Sequence, residues 1–142
     1  MTIKKLYERD FLAWTEEVSK SISNKDFADM DWENLIEEIE DMGKSEKRSL
    51  ESYLERLIEH ILKIKYWHNE HERNYRHWKA KIVNFRKRIN RLLKRSTSLK
   101  NYLVNIYPEI FNDSVEVQKN IFDIPDDNFV ELKTIMNQDY FG

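Results

Sequence analysis

Residues 75–95 read YRHWKAKIVNFRKRINRLLKR, and within them Tyr75, Trp78, Ile82, Phe85, Ile89 and Leu92 recur at alternating spacings of three and four. Side chains spaced in this way fall on one face of an α-helix, so the stretch predicts an amphipathic helix reaching Arg95. The seam is under three heptads long, which points to the packed face of a helical bundle rather than to an inter-subunit coiled coil.

The same period runs through the rest of the chain. Phe11, Trp14, Val18 and Ile22 predict a first helix over Tyr7 to Ser23, and the stretch Ser23-Asn24-Lys25-Asp26 breaks it. Asp31 is placed to N-cap a second helix from Trp32 to about Met42, whose expected buried residues are Trp32, Leu35, Ile36, Ile39 and Met42. Gly43 reads as its C′ cap, and Ser45 as the start of a third helix that reaches Trp67 with Leu50, Leu54, Leu57, Ile58, Ile61 and Ile64 inward. His68 to Asn74 is wholly polar and reads as a loop. After Ser96-Thr97-Ser98 a short helix runs to Tyr107, Pro108 is suited to the first position of another, and Ile124-Pro125 ends that one. A last short helix, capped by Asp126 or Asp127, contains Phe129, Leu132, Ile135 and Met136.

Composition supports this reading. The 142 residues include two glycines, two prolines and no cysteine, against about ten glycines and seven prolines at average usage. Turn-rich sandwiches, barrels and glycine-rich nucleotide-binding folds are therefore disfavoured, and the expected class is all-α: one helical domain over 1–142, a bundle of five to seven helices. Met1 to Tyr7 lacks the apolar core of a signal peptide, and no stretch approaches the ~18 apolar residues of a membrane span, so a cytoplasmic protein is expected.

The formal net charge of −2 hides a segregation. Residues 1–60 carry 9 basic and 16 acidic side chains, residues 61–100 carry 13 and 2, and residues 101–142 carry 2 and 8. The basic block either lies against the acidic ones or faces an outside polyanion.

Several strings resemble a known family. Tyr7-Glu8-Arg9-Asp10-Phe11-Leu12-Ala13-Trp14-Thr15 and Asp31-Trp32-Glu33-Asn34-Leu35-Ile36-Glu37-Glu38-Ile39-Glu40-Asp41-Met42-Gly43 are followed in order by Glu51-Ser52, His60-Ile61-Leu62-Lys63, Trp78, Arg86, Ser98-Leu99 and Ile124-Pro125. Together they resemble the bacterial domain-of-unknown-function family twenty-nine. The resemblance implies an all-helical domain along essentially the whole chain and leaves its biochemical role open.

Three groups of residues could carry function. Glu33, Glu37 and Glu40 stack along one helix edge. Glu37 and Glu40, with His60 from the next helix, are the candidates for a divalent-cation or acid–base site in a hydrolase or nuclease. The structural reading instead pairs Glu33, Glu37 and Glu40 with Arg86. His68 and His71, three apart, are weak candidates for Zn²⁺ or Ni²⁺. Lys79, Lys81, Lys87, Arg88, Arg91, Lys94 and Arg95 are candidate phosphate contacts for nucleic acid.

Glycine occurs only at 43 and 142, which leaves no glycine-rich phosphate loop and no nucleophile elbow, and no cofactor is called for. The leading expectation is a non-enzymatic module that binds a protein partner or itself. The alternatives are the Glu/His enzyme and nucleic-acid binding through helix 75–95.

Overall fold

The computed structural model describes residues 2–142. Six helices follow in order: α1 (Ile3–Arg9), α2 (Phe11–Ser23), α3 (Trp32–Tyr66), α4 (His68–Arg95), α5 (Thr97–Gln118) and α6 (Leu132–Ile135). No strand occurs among the described residues, and the all-α class is as the sequence indicates. The chain forms two compact units, one ending at Ser45 and the other spanning Glu46–Gly142.

The first unit departs from its expected single opening helix at Asp10. That residue N-caps α2, its carboxylate accepting from the Ala13 N–H at 3.1 Å, while its own N–H closes α1 on the Leu6 carbonyl. One cap therefore satisfies both a helix end and a helix start. The core of the unit is small: Trp14, Val18 and Met30 are buried, with Ile3, Leu6, Tyr7 and Leu35 packed around them. Asp31 is buried too, and its carboxylate accepts from the Trp14 indole N–H at 3.0 Å and from the Asn34 amide at 2.7 Å.

That hydrogen bond sets the rotation of α3. Asp31, Leu35 and Glu38, one turn apart, face inward, and Glu38 receives the Tyr7 hydroxyl. The neighbouring strip, rotated by about 100°, points outward. Trp32, Ile36 and Ile39, expected in the core, are therefore 50%, 53% and 58% exposed, and Met42, also expected there, continues the inward line one turn beyond Glu38 and is 65% exposed.

Gly43 does not cap a helix either, because α3 runs through it without interruption. A glycine in a helix interior costs only about 1 kcal/mol relative to alanine, which good helix formers on both sides can offset.

The second unit holds the larger core. Leu54, Leu57, Ile58 and Ile61 of α3 meet Ile82 and Ile89 of α4 and Phe111 of α5, all fully buried. The seam read at 75–92 is the inner face of α4, but the helix begins at His68, so the polar stretch expected as a loop is helical. Its side chains make their own support, with Asn74 donating to the Glu70 carbonyl at 3.0 Å.

The helix α5 opens on a Ser96 cap that accepts from the Leu99 N–H at 3.0 Å, and it then continues through Pro108. Pro108 removes one donor from the ladder. The carbonyl left without it belongs to Val104, a residue 62% exposed.

Beyond α5 the chain wraps back as an extended tail with one four-residue helix, shorter than expected. Ile124, Val130 and Ile135 of the tail are buried. Phe122 stacks on Trp67 at 5.2 Å between ring centres, and Phe129 sets its edge against Phe111 at 5.0 Å.

Candidate polyanion-binding face

In the first unit Glu33 borders a hollow beside Lys4, Asp29 and Asp31, a lining that does not include Glu37 or Glu40. Glu33 reaches Lys4 at 3.2 Å in a well-exposed pair, and Glu37 and Glu40 are exposed. His60 lies in the second unit and is 9% exposed. Its Nδ1 is 2.6 Å from the Arg56 carbonyl. A carbonyl only accepts, so Nδ1 carries the proton. Burial lowers the His60 pKa below its ordinary 6.5, partly opposed by that hydrogen bond, and the ring is neutral at pH 7. No group of three or more His, Cys, Asp or Glu side chains among the described residues is arranged to hold a metal ion.

Arg86 is buried, but its charge is met by main-chain carbonyls rather than by Glu33, Glu37 or Glu40. Its Nε donates to Ile135 at 2.9 Å, and an Nη donates to Tyr140. Ile135 ends α6, where carbonyls lack helical donors, so the guanidinium caps the tail instead of forming the expected ion pair. His71 stacks on Tyr75 at 4.9 Å, one turn along α4, and His68 is exposed.

The basic residues separate cleanly by helix phase. Opposite the buried line of Trp78, Ile82 and Ile89 runs an outward stripe of Arg73, Arg76, Lys87, Arg91 and Lys94, all exposed. The flanks are occupied differently. Arg95 pairs with Glu46 at 3.0 Å, Arg88 lies 5.6 Å from the Tyr53 ring centre, and Lys79 lies 4.8 Å from that of Phe141. Lys81 is half-buried. Among the described residues, Arg95 is the one cation of α4 that forms an ion pair with a carboxylate.

Near its end the stripe borders a shallow open hollow of about 540 Å³, lined by Lys87, Asn90, Arg91, Leu93 and Lys94 of α4 and by Lys100 of α5. Four cations and no carboxylate converge there. Of these, Lys87, Arg91 and Lys94 were legible as candidate phosphate contacts. Arg73 was hidden in the expected loop, and Lys100 lay beyond the Ser96 break. Arg76 could have been found from the sequence, since it stands half a turn from the Trp78 seam.

These features describe an all-helical protein with a basic face whose cations form no ion pair among the described residues. The chain belongs to the family described as Domain of unknown function DUF29, which matches residues 6–141. No curated protein and no solved structure matches it. Among the described residues no helix is long and apolar enough to cross a membrane.

Proposed function

We propose that this protein is a non-enzymatic binding module whose outward α4 face takes a polyanion, and that the polyanion is the phosphate backbone of double-stranded nucleic acid. The observation that carries the reading is the stripe Arg73, Arg76, Lys87, Arg91 and Lys94, exposed and without carboxylate partners among the described residues. From Arg73 to Lys94 it spans 21 residue steps of helix, or about 32 Å, comparable with the ~34 Å of one duplex turn. Releasing condensed counterions from phosphates is the ordinary driving force for such a surface.

Helix phase also favours duplex over single strand. Single-strand binders stack bases on exposed aromatic rings. Here Trp78 is buried, and Tyr75 and Phe85 pack against the core, so among the described residues none of these α4 rings stands free beside the stripe. Contacts to phosphate alone position a protein without reading bases, and the binding is sequence-independent. A cytoplasmic location, where nucleic acid is at hand, goes with this reading.

The test is fluorescence anisotropy of a labelled random-sequence duplex in a salt series. Five phosphate contacts give a slope of log K against log salt of about −4.5, a loss of two to three decades between 50 and 200 mM. A flat salt response, or tighter binding to single strands than to duplex, would overturn the proposal.

A further inference from the structure

The first unit buries three hydrophobic side chains, Trp14, Val18 and Met30. It leaves Phe27, Trp32, Ile36, Ile39 and Met42 about half exposed or more. Phe27 and Trp32 lie 6.1 Å apart between ring centres, so the apolar strip of α3 is continued by the connection before it. Scattered exposed apolar residues are ordinary, but a contiguous strip of this kind marks a contact surface. One flank of the strip carries Glu33, Glu37 and Glu40, all exposed.

We infer that the strip is a docking surface for a second copy of this chain, and that it seats on the outward face of that copy's α4. Between Arg76 and Lys87 that face carries Ala80 and the exposed Val83, an apolar window with cations at both ends. Ile36 and Ile39 match the window in chemistry and in one-turn spacing. The small Ala80 leaves room for the approach of a bulky side chain. The glutamate flank then meets Arg76 and Lys87, charges that find no carboxylate within their own chain among the described residues.

Charge selects this pairing over the symmetric one. Two α3 strips packed against each other in antiparallel would set Glu37 and Glu40 against their own equivalents, and like charges in register repel. Strip against α4 places opposite signs together throughout. Such a contact joins different patches on the two copies; made once it leaves a strip and an α4 face free to extend a ring or chain, and made reciprocally it closes a two-fold pair. Because it uses the cationic stripe, self-association and polyanion binding compete for one face; the docking itself stands whether or not nucleic acid is the ligand.

The experiment is sedimentation equilibrium at low salt, up to about 100 μM protein, with two charge-reversed variants at exposed positions. One is Glu37→Lys/Glu40→Lys and the other is Arg76→Glu/Lys87→Glu. The wild type shows a mass that rises with concentration and falls with added salt. Each variant alone associates about tenfold or more weakly, with an unchanged helical circular dichroism spectrum.

Mixing the variants restores association, because the intact strip of the second meets the intact α4 face of the first. A monomeric wild type overturns the inference. So does association unaffected by either variant, and so does a mixture that stays as weak as its components. The Glu37→Lys/Glu40→Lys variant retains its α4 stripe, so loss of self-association with duplex binding intact separates this contact from the polyanion proposal.

Discussion

Arg86 in α4 holds the carbonyl of Ile135 at 2.9 Å across 49 residues of sequence. The same guanidinium donates to Tyr140 and lies 5.3 Å from the Phe141 ring centre, so one side chain fastens the end of the tail. A lysine carries the charge but not the planar fork that serves two carbonyls. Arg86→Lys is expected to destabilise the protein by about 2–3 kcal/mol through unsatisfied buried carbonyls. Urea denaturation measures it, and a loss below about 0.5 kcal/mol would show that the fork is unnecessary.

Acid acts on the smaller unit through Asp31. Burial alone would raise its pKa, but hydrogen bonds from Asn34 and Trp14 outweigh burial and hold it below the ordinary 3.8. A carboxylate with a lowered folded-state pKa contributes stability above its unfolded value, and that contribution is lost as pH falls through the folded value. Stability of the wild type should therefore decline below about pH 4. Asp31→Asn should remove this part of the decline while lowering stability near neutrality, as followed by tryptophan fluorescence in denaturant series at each pH.

The second unit has a separate acid sensitivity at His60. Its folded pKa lies below 6.5 because burial disfavours the charged ring. The unfolded chain binds the proton more readily, so stability should fall as pH drops below 6.5 towards the folded value. An NMR titration of the His60 ring should give a midpoint under 6.5, and a midpoint above it would reject the buried neutral assignment.

Neutralising the outward stripe should weaken duplex binding and flatten its salt dependence, by about 0.9 in slope for each phosphate that the face no longer neutralises. Lys87→Gln with Arg91→Gln is the informative pair. Lys81→Gln, on the flank and half-buried, should leave the slope unchanged. Equal losses from both variants would mean that overall charge, and not the face, governs binding.

Gly43 offers a gain of stability. A Cβ at this position would meet no atom within 4 Å, and the residue is already helical. Gly43→Ala should stabilise α3 by about 0.5–1 kcal/mol, read as a higher midpoint in thermal or urea unfolding.

The helical class and the inner face of α4 were legible because Trp78, Ile82 and Ile89 are buried at the period that the sequence displays. Local signals misled elsewhere. Gly43 and Pro108 are strong breakers by intrinsic preference, yet both lie inside continuous helices. The strip of Trp32, Ile36 and Ile39 has the spacing of a core face, but the buried bond between Asp31 and Trp14 turns the adjacent strip inward. At the candidate site, the count of basic residues was legible, whereas their division into stripe and flank needed the helix phase. Arg73 was missed because a polar helix start has no hydrophobic period to reveal it.

The tail anchors also bear on how the chain is made. Arg86 holds Ile135 and Tyr140, and the Tyr107 hydroxyl donates to the Val130 carbonyl. In each case the clasping side chain precedes the segment that it clasps. During synthesis α4 and α5 leave the ribosome first and offer their donors before residues 130–140 emerge, so the second unit can be assembled in the direction of translation, its tail closing as a latch on a core already built.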